Sequence, residues 1–241
     1  MPLSNAQWFT AGVLKITGSN TANPTMEEGS ATSYTFDDLS LGAEDASRII
    51  VIAMTVGWSS HMGTVTGVTV GGSACTQPVE ASGDNGTTEN VRAELWSIAL
   101  ATGTTGDVVC SFSGATGNRG GNVSVYRLVG DVVLAPDDTA KQELSQADSD
   151  ANASVDVDAK DGGFIVAVSC RTHGGLGGSV GANCSWAGVT ESTDQGPGGS
   201  SVYASTGYHS STSDDGSYTV APTWHNITLN AGLSVASWHP Q

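Results

Sequence analysis

Two short apolar runs, both rich in β-branched residues, dominate the hydrophobic pattern of the chain. Residues 49–56 read Ile-Ile-Val-Ile-Ala-Met-Thr-Val, and residues 164–170 read Phe-Ile-Val-Ala-Val-Ser-Cys. Neither run has the length or the 3.6-residue periodicity of a helix, whereas both suit a buried β-strand. Each run also follows an acidic turn, at 44–47 and at 160–163. The runs therefore predict equivalent central strands in two related halves of the protein.

Shorter segments of alternating apolar and polar residues surround both runs in the same order. The predicted strands are 33–41, 48–56, 65–70 with a continuation to 79, 90–100, 108–112 and 122–128, then 153–157, 164–170, 186–190, 201–208, 216–220 and 233–235. Short strands separated by turn residues are typical of sandwiches. We predict an all-β antiparallel sandwich or jelly roll of about a dozen strands, with pseudo-halves at about 33–130 and 151–241.

Two segments fall outside this repeated pattern. Residues 1–32 form a polar lead-in, with one strand predicted at 9–16 and a loop at 18–33, and we interpret the whole segment as a docking segment. Residues 137–147, between the halves, are predicted to form one helical turn before the acidic residues 148–150 end it.

Composition narrows the range of partners. The 241 residues carry 24 acidic and 8 basic side chains, for a formal net charge of −16. Nucleic acids and anionic membrane surfaces are bound through clustered Lys and Arg, so both are excluded as expected partners. The sequence begins with no signal-peptide pattern and contains no apolar run of about 18 residues, so we expect synthesis in a cytosol and no membrane span.

The sequence predicts no cofactor or metal. The four cysteines are too widely spaced for a zinc site or disulfide framework, and free buried thiols are expected: Cys75, Cys110, Cys170 and Cys184. Residues 148–152 resemble the start of a calcium-binding loop. However, Ala153 and Ala159 stand where that loop needs its turn glycine and closing glutamate.

No catalytic signature is present either. Ser73 lies in Gly-Gly-Ser-Ala-Cys, which is not a nucleophile elbow, and the glycine-rich residues 174–178 lack the lysine and helix of a phosphate loop. The acidic pairs at 37–38, 137–138 and 214–215 are adjacent in sequence. Adjacent side chains on a strand point to opposite faces, so these pairs make poor acid–base dyads, and we predict that the protein is not an enzyme.

Loops are therefore the expected place for function. Assuming that successive strands alternate in direction, one end of the sandwich collects residues 57–64, 101–107, 130–138, 171–183 and 209–216. This end would unite Trp58, His61, His173 and His209, which we take as a candidate contact surface for a glycan or a protein partner. Three imidazoles could also bind a metal, but the sequence shows no local ligand spacing.

The opposite end would collect residues 42–47, 79–90, 114–121, 193–200 and 221–231. Residues 224–226, Trp-His-Asn, form an amphipathic patch there. Two interpretations remain open at this point: a contact patch for a partner or glycan, or a Trp224 that covers the end of the core.

Several segments together resemble a known class of proteins. They are Tyr34-Thr-Phe36, Arg48-Ile-Ile-Val51, Val68-Thr-Val-Gly-Gly72, Glu94-Leu-Trp96, Thr102-Gly-Thr-Thr-Gly-Asp107 and Ser237-Trp238. Over residues 33–238 the chain is similar to glycine- and threonine-rich jelly-roll virion proteins of tailed bacteriophages and gene transfer agents, of the head-decoration, head-spike or fibre type. The resemblance implies a non-enzymatic protein on the exterior of a particle assembled in the host cytoplasm. It also implies a homo-oligomer that contacts other virion proteins and host-surface polysaccharide.

A second function class remains open. A carbohydrate-binding module or a polysaccharide-active enzyme on a sandwich fold would have the same strand pattern. This alternative predicts a cleft lined by aromatic side chains and at least one convergent pair of carboxylates.

Overall fold

The computed structural model describes residues 16–22, 25–29, 32–58, 64–84, 90–113, 119–145, 152–172, 183–195, 202–225 and 230–241. The regular elements among these residues are eighteen β-strands. They are β1 (Ile16–Ala22), β2 (Thr25–Gly29), β3 (Ser33–Ser40), β4 (Ile49–Trp58), β5 (Thr64–Val70), β6 (Ser73–Ala74), β7 (Thr76–Asp84), β8 (Asn90–Ala99), β9 (Thr105–Ser113), β10 (Arg119–Gly130), β11 (Asp138–Leu144), β12 (Val155–Ala159), β13 (Phe164–Thr172), β14 (Asn183–Ala187), β15 (Thr190–Gln195), β16 (Val202–Ser210), β17 (Asp215–His225) and β18 (Ala231–Trp238).

The strands form four sheets, and the strand pairings are antiparallel. Sheet 1 has the order β1-β10-β4-β8-β7, with β2 also paired to β10, and sheet 2 has the order β3-β9-β5-β6. Sheet 3 has the order β11-β18-β13-β16-β15, and sheet 4 has the order β12-β17-β14. The prediction of an all-β antiparallel sandwich is confirmed, although the described residues form eighteen strands rather than the predicted dozen. The jelly-roll connectivity stays a prediction.

Three large apolar clusters show how the sheets stack. One lies between sheets 2 and 1, one between sheets 1 and 3, and one between sheets 3 and 4. The molecule is therefore a stack of two sandwiches in the order 2-1-3-4, and sheets 1 and 3 are covered on both faces. The pairings also correspond strand for strand, because β4 lies between β10 and β8 just as β13 lies between β18 and β16.

This double coverage explains why the central strands are apolar throughout. In β4, Ile50 and Ile52 point into the core shared with sheet 2, whereas Ile49 and Val51 point into the core shared with sheet 3. Strands buried on both faces lose the alternation of a half-exposed strand and read as continuous hydrophobic runs. The interpretation of 49–56 as a buried strand is confirmed, and residues 164–170 of β13 have the same environment.

The two central strands run in the same direction. The ring of Phe164, at the start of β13, lies against Gly18, which is two strands away from Ile49 at the start of β4. Near the end of β13, Gly232 lies against Ala81, which is two strands away from the second half of β4. We call the end of the stack where β4 and β13 finish the loop end, and the end where they start the turn end.

Glycines allow sheets 1 and 3 to approach closely near the loop end. A Cβ atom on Gly232 would lie 2.9 Å from the carbonyl oxygen of Ala81, and one on Gly83 would lie 2.8 Å from the backbone nitrogen of Ala231. Both obstacles are backbone atoms that belong to the opposite sheet. A side chain at either position would therefore force the sheets apart.

Two predictions about the flanking segments are wrong. Residues 18–33 are not one loop, since β1 and β2 extend sheet 1 by pairing with β10. The described residues 137–145 do not form the predicted helical turn at 137–147, because β11 pairs with β18 and its side chains alternate between exposed and at least half-buried. In both cases a long-range pairing decides a structure for which the local sequence gives no clear signal. The predicted strand at 9–16 lies outside the described residues except for Ile16, and the docking role of 1–32 stays a prediction.

We expect Gly232→Ala to lower the free energy of unfolding by about 1–3 kcal/mol, because the added methyl group overpacks the interface between sheets 1 and 3. Chemical denaturation followed by circular dichroism measures the change. Gly67→Ala is the matched control, since a Cβ there would meet nothing within 4 Å. Equal stability of the two variants would contradict the close approach of the sheets.

Candidate functional site

The four residues of the predicted contact surface do not share one end. Trp58 is the last residue of β4 and lies at the loop end, opposite Asn90 and Arg119 in the neighbouring strands. His61 and His173 lie outside the described residues; they follow Trp58 and Thr172 in sequence, and both strands finish at the loop end.

His209 lies at the opposite end. It pairs with Ile165 at the start of β13, whereas Thr172 at the end of β13 pairs with Val202. From Ile165 to Thr172 the strand advances by seven residue steps, so His209 lies about 23 Å from the loop end. Its ring stacks on Tyr218 at a centroid distance of 4.7 Å, and burial lowers the pKa of His209. Grouping it with Trp58 was therefore wrong.

Missed reversals of the chain caused this error. Gly71 and Gly72 both have positive φ angles, 55° and 79°, and they turn β5 directly back into β6. Two consecutive positive φ angles define the type I′ turn of a tight hairpin. Gly188, with a φ of 86°, lies in the corresponding connection between β14 and β15. Each overlooked turn inverts the end to which the following loops are assigned.

The corrected arrangement moves several segments from one end of the stack to the other. The chain segments 101–107, 130–138 and 209–216 lie at the turn end, because Ala99, Leu128 and Ser210 pair with the first residues of the central strands. The strand ends at Asp84, Asn90 and Arg119 lie at the loop end instead. The loop end therefore carries strand ends from both sandwiches.

Trp224, the alternative contact residue, is part of the core. Its side chain is 5% exposed and packs with Cys184 and Tyr203. The indole Nε1 donates a hydrogen bond to Ser169 Oγ at 3.1 Å. The structure thus supports the interpretation that Trp224 covers the end of the second sandwich.

An arginine holds the turn end together. The guanidinium of Arg48 is buried and donates to the carbonyl oxygens of Leu100 and Thr102, both at 2.6 Å, and of Gly42 and Ala43, both at 3.2 Å. Burial lowers the pKa of Arg48. These contacts join the connection after β3 to the connection after β8, so the side chain serves the structure at this end.

A polar cluster absent from the predicted sites joins the edge strand β7 to β8 in sheet 1. Glu80 of β7 and Glu94 of β8 are directly opposite each other in sheet 1. Gln77 Nε2 bridges them, at 3.4 Å from Glu80 Oε2 and 2.9 Å from Glu94 Oε2. Arg92 Nη1 lies 2.7 Å from Glu80 Oε1 and 3.9 Å from Glu94 Oε1, and Trp96 Nε1 donates to Glu94 Oε2 at 2.8 Å.

Glu94 can exchange a proton near neutral pH. Its side chain is fully buried, and burial raises the pKa of Glu94 to about 7. The charge of Glu80 raises this pKa further, while the hydrogen bond from Trp96 and the charge of Arg92 lower it. Glu94 Oε1 makes no hydrogen bond to any described residue. A carboxyl group of this kind is the chemistry of a general acid or base, although it also occurs in buried structural networks.

The sequence of β8 contains one feature that indicates this cluster. Arg92, Glu94 and Trp96 alternate within β8, so they share the face toward sheet 2, where Trp96 joins the apolar core. Charged residues at core-facing positions of a strand are rare unless they are paired. The prediction ended the preceding strand at Val79, and so it omitted Glu80, the partner.

Metal ligands do not converge in the described part of the chain, which contains no group of three or more His, Cys, Asp or Glu side chains that could hold an ion. The four cysteines are free thiols. Within the same residues, no helix has the length and hydrophobicity needed to span a bilayer. A comparison with models of protein families gives no match to the chain, and a comparison with curated proteins gives no significant match either.

We expect Glu94→Gln to change how stability depends on pH. Between about pH 4.5 and pH 7 the folded state holds a proton that the unfolded state has released, so the wild-type free energy of unfolding falls as pH rises through this window. The glutamine side chain of the variant binds no proton, so its stability does not fall for this reason. The free energy of unfolding of the variant, relative to that of the wild type, should therefore rise by roughly 1–3 kcal/mol from pH 4.5 to pH 8. Urea titrations at a series of pH values measure the difference.

Glu143→Gln is the control for this experiment. Glu143 is exposed, and the hydrogen bond from Lys141 helps to lower its pKa, although burial opposes the shift. The contribution of ionised Glu143 to stability is lost only as pH falls through its lowered pKa. The free energy of unfolding of this variant should therefore depend on pH in the same way as that of the wild type above about pH 5. Parallel profiles for Glu94→Gln and the wild type would show that Glu94 is ionised throughout.

Proposed function

We propose that this chain is a non-enzymatic structural protein on the exterior of a phage-like particle. It is a decoration, spike or fibre-type component that displays loops toward a host-surface glycan or another virion protein. The observation that carries the proposal is the common direction of β4 and β13, which puts strand ends from both sandwiches at one end of the stack. Rigid sheets that present loops at one end are a general design for binding surfaces.

Charge and connectivity support the proposal. A net charge of −16 favours solubility and an exposed position. In each half the last strand lies beside the first, β10 beside β1 and β18 beside β11. This return is a Greek-key feature, and the jelly roll of the proposed class consists of two Greek keys.

Residues at the loop end suit contact with sugars. Trp58 ends β4, and His61 and His173 follow the two central strands. An indole ring stacks on the apolar face of a sugar, and polar neighbours bind its hydroxyl groups. We therefore propose the loop end, without His209, as the glycan contact.

We expect Trp58→Ala to weaken binding to bacterial surface polysaccharide by about tenfold, the loss of roughly 1.4 kcal/mol of stacking. A glycan array followed by calorimetry on the best ligand measures the effect. His209→Ala is the control at the turn end and should bind like the wild type. Equal losses in both variants, or no glycan binding by the wild type, would contradict a glycan surface at the loop end.

The position on a particle needs a separate test. Cryo-electron microscopy of particles made by the organism that encodes the chain should show several copies on the outer surface. Light scattering of the purified protein should likewise show a homo-oligomer. A stable monomer that neither occurs in particles nor binds to them would overturn the structural assignment, whatever the glycan result.

A polysaccharide-active enzyme is the second candidate, because Glu80 and Glu94 form a convergent carboxylate pair. Retaining glycosidases use two carboxyl groups about 5–5.5 Å apart, one of them with a raised pKa. However, Glu94 is fully buried, and both carboxylates are already engaged by Gln77 and Arg92. These contacts favour a structural network over an open active site.

We accordingly expect the wild type to release no reducing ends from bacterial surface polysaccharides. Cleavage by the wild type would overturn the non-enzymatic proposal, and Glu80→Gln would then test the carboxylate pair. Loss of cleavage with unchanged glycan affinity would assign catalysis to Glu80 and Glu94. Unchanged cleavage would exclude this pair as the catalytic carboxylates.

A further inference from the structure

An apolar cleft of about 240 Å³ opens at the turn end, beside the start of β4. Ser47 and Arg48 line it, and the guanidinium of Arg48 is directed to backbone carbonyls. The rest of the lining is aliphatic and includes Ile49, Leu100, Val132 and Leu134. The volume suits one large apolar side chain.

The rim of this cleft is also apolar. Val133, next to two lining residues, is 44% exposed, and it is the exposed large hydrophobic side chain of the described residues. Ala46, Ala99 and Ala101 are exposed as well. The apolar surface of the cleft therefore continues onto its rim, where an apolar segment can pack and lose contact with water.

The N-terminal segment of the chain arrives at this place. β1 begins at Ile16, which pairs with Gly130, and Gly130 accepts a backbone hydrogen bond from Val132 in the cleft wall at 3.0 Å. Residues 1–15 therefore join the fold at the turn end, beside the cleft. They lie outside the described residues.

The sequence of that segment matches the cleft. Residues 1–15 read Met-Pro-Leu-Ser-Asn-Ala-Gln-Trp-Phe-Thr-Ala-Gly-Val-Leu-Lys, with adjacent aromatics at Trp8 and Phe9. The segment has no acidic residue and one lysine, whereas Asp45 and Asp131 directly precede the lining residues Ala46 and Val132 in sequence. Its aromatic and aliphatic side chains therefore match the apolar part of the lining.

The chain is long enough to make the contact. Trp8 lies eight residue steps before Ile16, a distance of up to about 26 Å when the chain is extended. Two strand spacings of about 4.8 Å each separate β1 from β4 in sheet 1. Because the segment is tethered next to the cleft, its effective concentration there is in the millimolar range or above, which favours its own cleft over that of another copy.

We propose that the cleft at the turn end binds the chain's own N-terminal segment, with one of the adjacent aromatics Trp8 and Phe9 in the cleft and the other against Val133 on its rim. The segment then covers Val133 and its neighbours at the end of the stack opposite the loop end. This inference does not rest on the proposed function.

Hydrogen–deuterium exchange of the full-length protein tests the proposal. Peptides from residues 1–15, 46–49 and 132–134 should exchange at least about tenfold faster in a Trp8→Ala/Phe9→Ala variant than in the wild type, while β13 should be unchanged. Asn5→Ala/Gln7→Ala is the control in the same segment and should leave the protection intact. Leu134→Asp changes the cleft instead of the segment, and it should likewise increase the exchange rate of residues 1–15.

Three results would overturn the proposal. Rapid exchange of residues 1–15 in the wild type would show that the segment is not bound. Protection that survives Trp8→Ala/Phe9→Ala would exclude the aromatic anchors. Protection that disappears on dilution, together with a dimer by light scattering, would assign the cleft to the segment of a second copy.

Discussion

The apolar contact between sheets 1 and 3 is the constraint on which the rest of the structure depends. It turns two sandwiches into one stack and buries both faces of β4 and β13. Polar side chains within the contact are paired across it: Ser124 with Thr206 at 3.0 Å, Tyr126 with Ser192 at 2.9 Å, and Ser234 Oγ with the carbonyl oxygen of Ala93 at 2.8 Å. Such buried pairs penalise other registers, so the contact fixes the relative placement of the halves.

Sequence alone predicted the features that depend on local pattern. The apolar runs at 49–56 and 164–170 identified the central strands, because residues buried on both faces cannot alternate. The common order of the surrounding segments corresponds to the pairings that the structure shows. What sequence did not predict was how one sandwich packs on the other, since that depends on close backbone approach at Gly83 and Gly232.

The wrong predictions about turns and strands also arose because long-range pairing, and not local sequence, decides the structure. Gly71 and Gly72 make a reversal of only two residues, which is easily taken for an interruption within one strand. β11 has polar, charged and aliphatic residues in mixed order, and only its pairing with β18 makes it a strand. The prediction of the candidate site was less accurate than the prediction of the fold. Each missed reversal assigned His209 or another loop residue to the wrong end of the stack, but it did not change which segments were predicted to be strands.

The two ends of the stack differ in how they are held. At the turn end, backbone carbonyls converge on Arg48, so the connections there are fixed by the fold. At the loop end, β4 and β13 finish in adjacent sheets, and their spacing is set by the glycines between sheets 1 and 3. The geometry of the surface at the loop end is therefore determined in the core, and a substitution at Gly232 would disturb that surface from the interior of the stack.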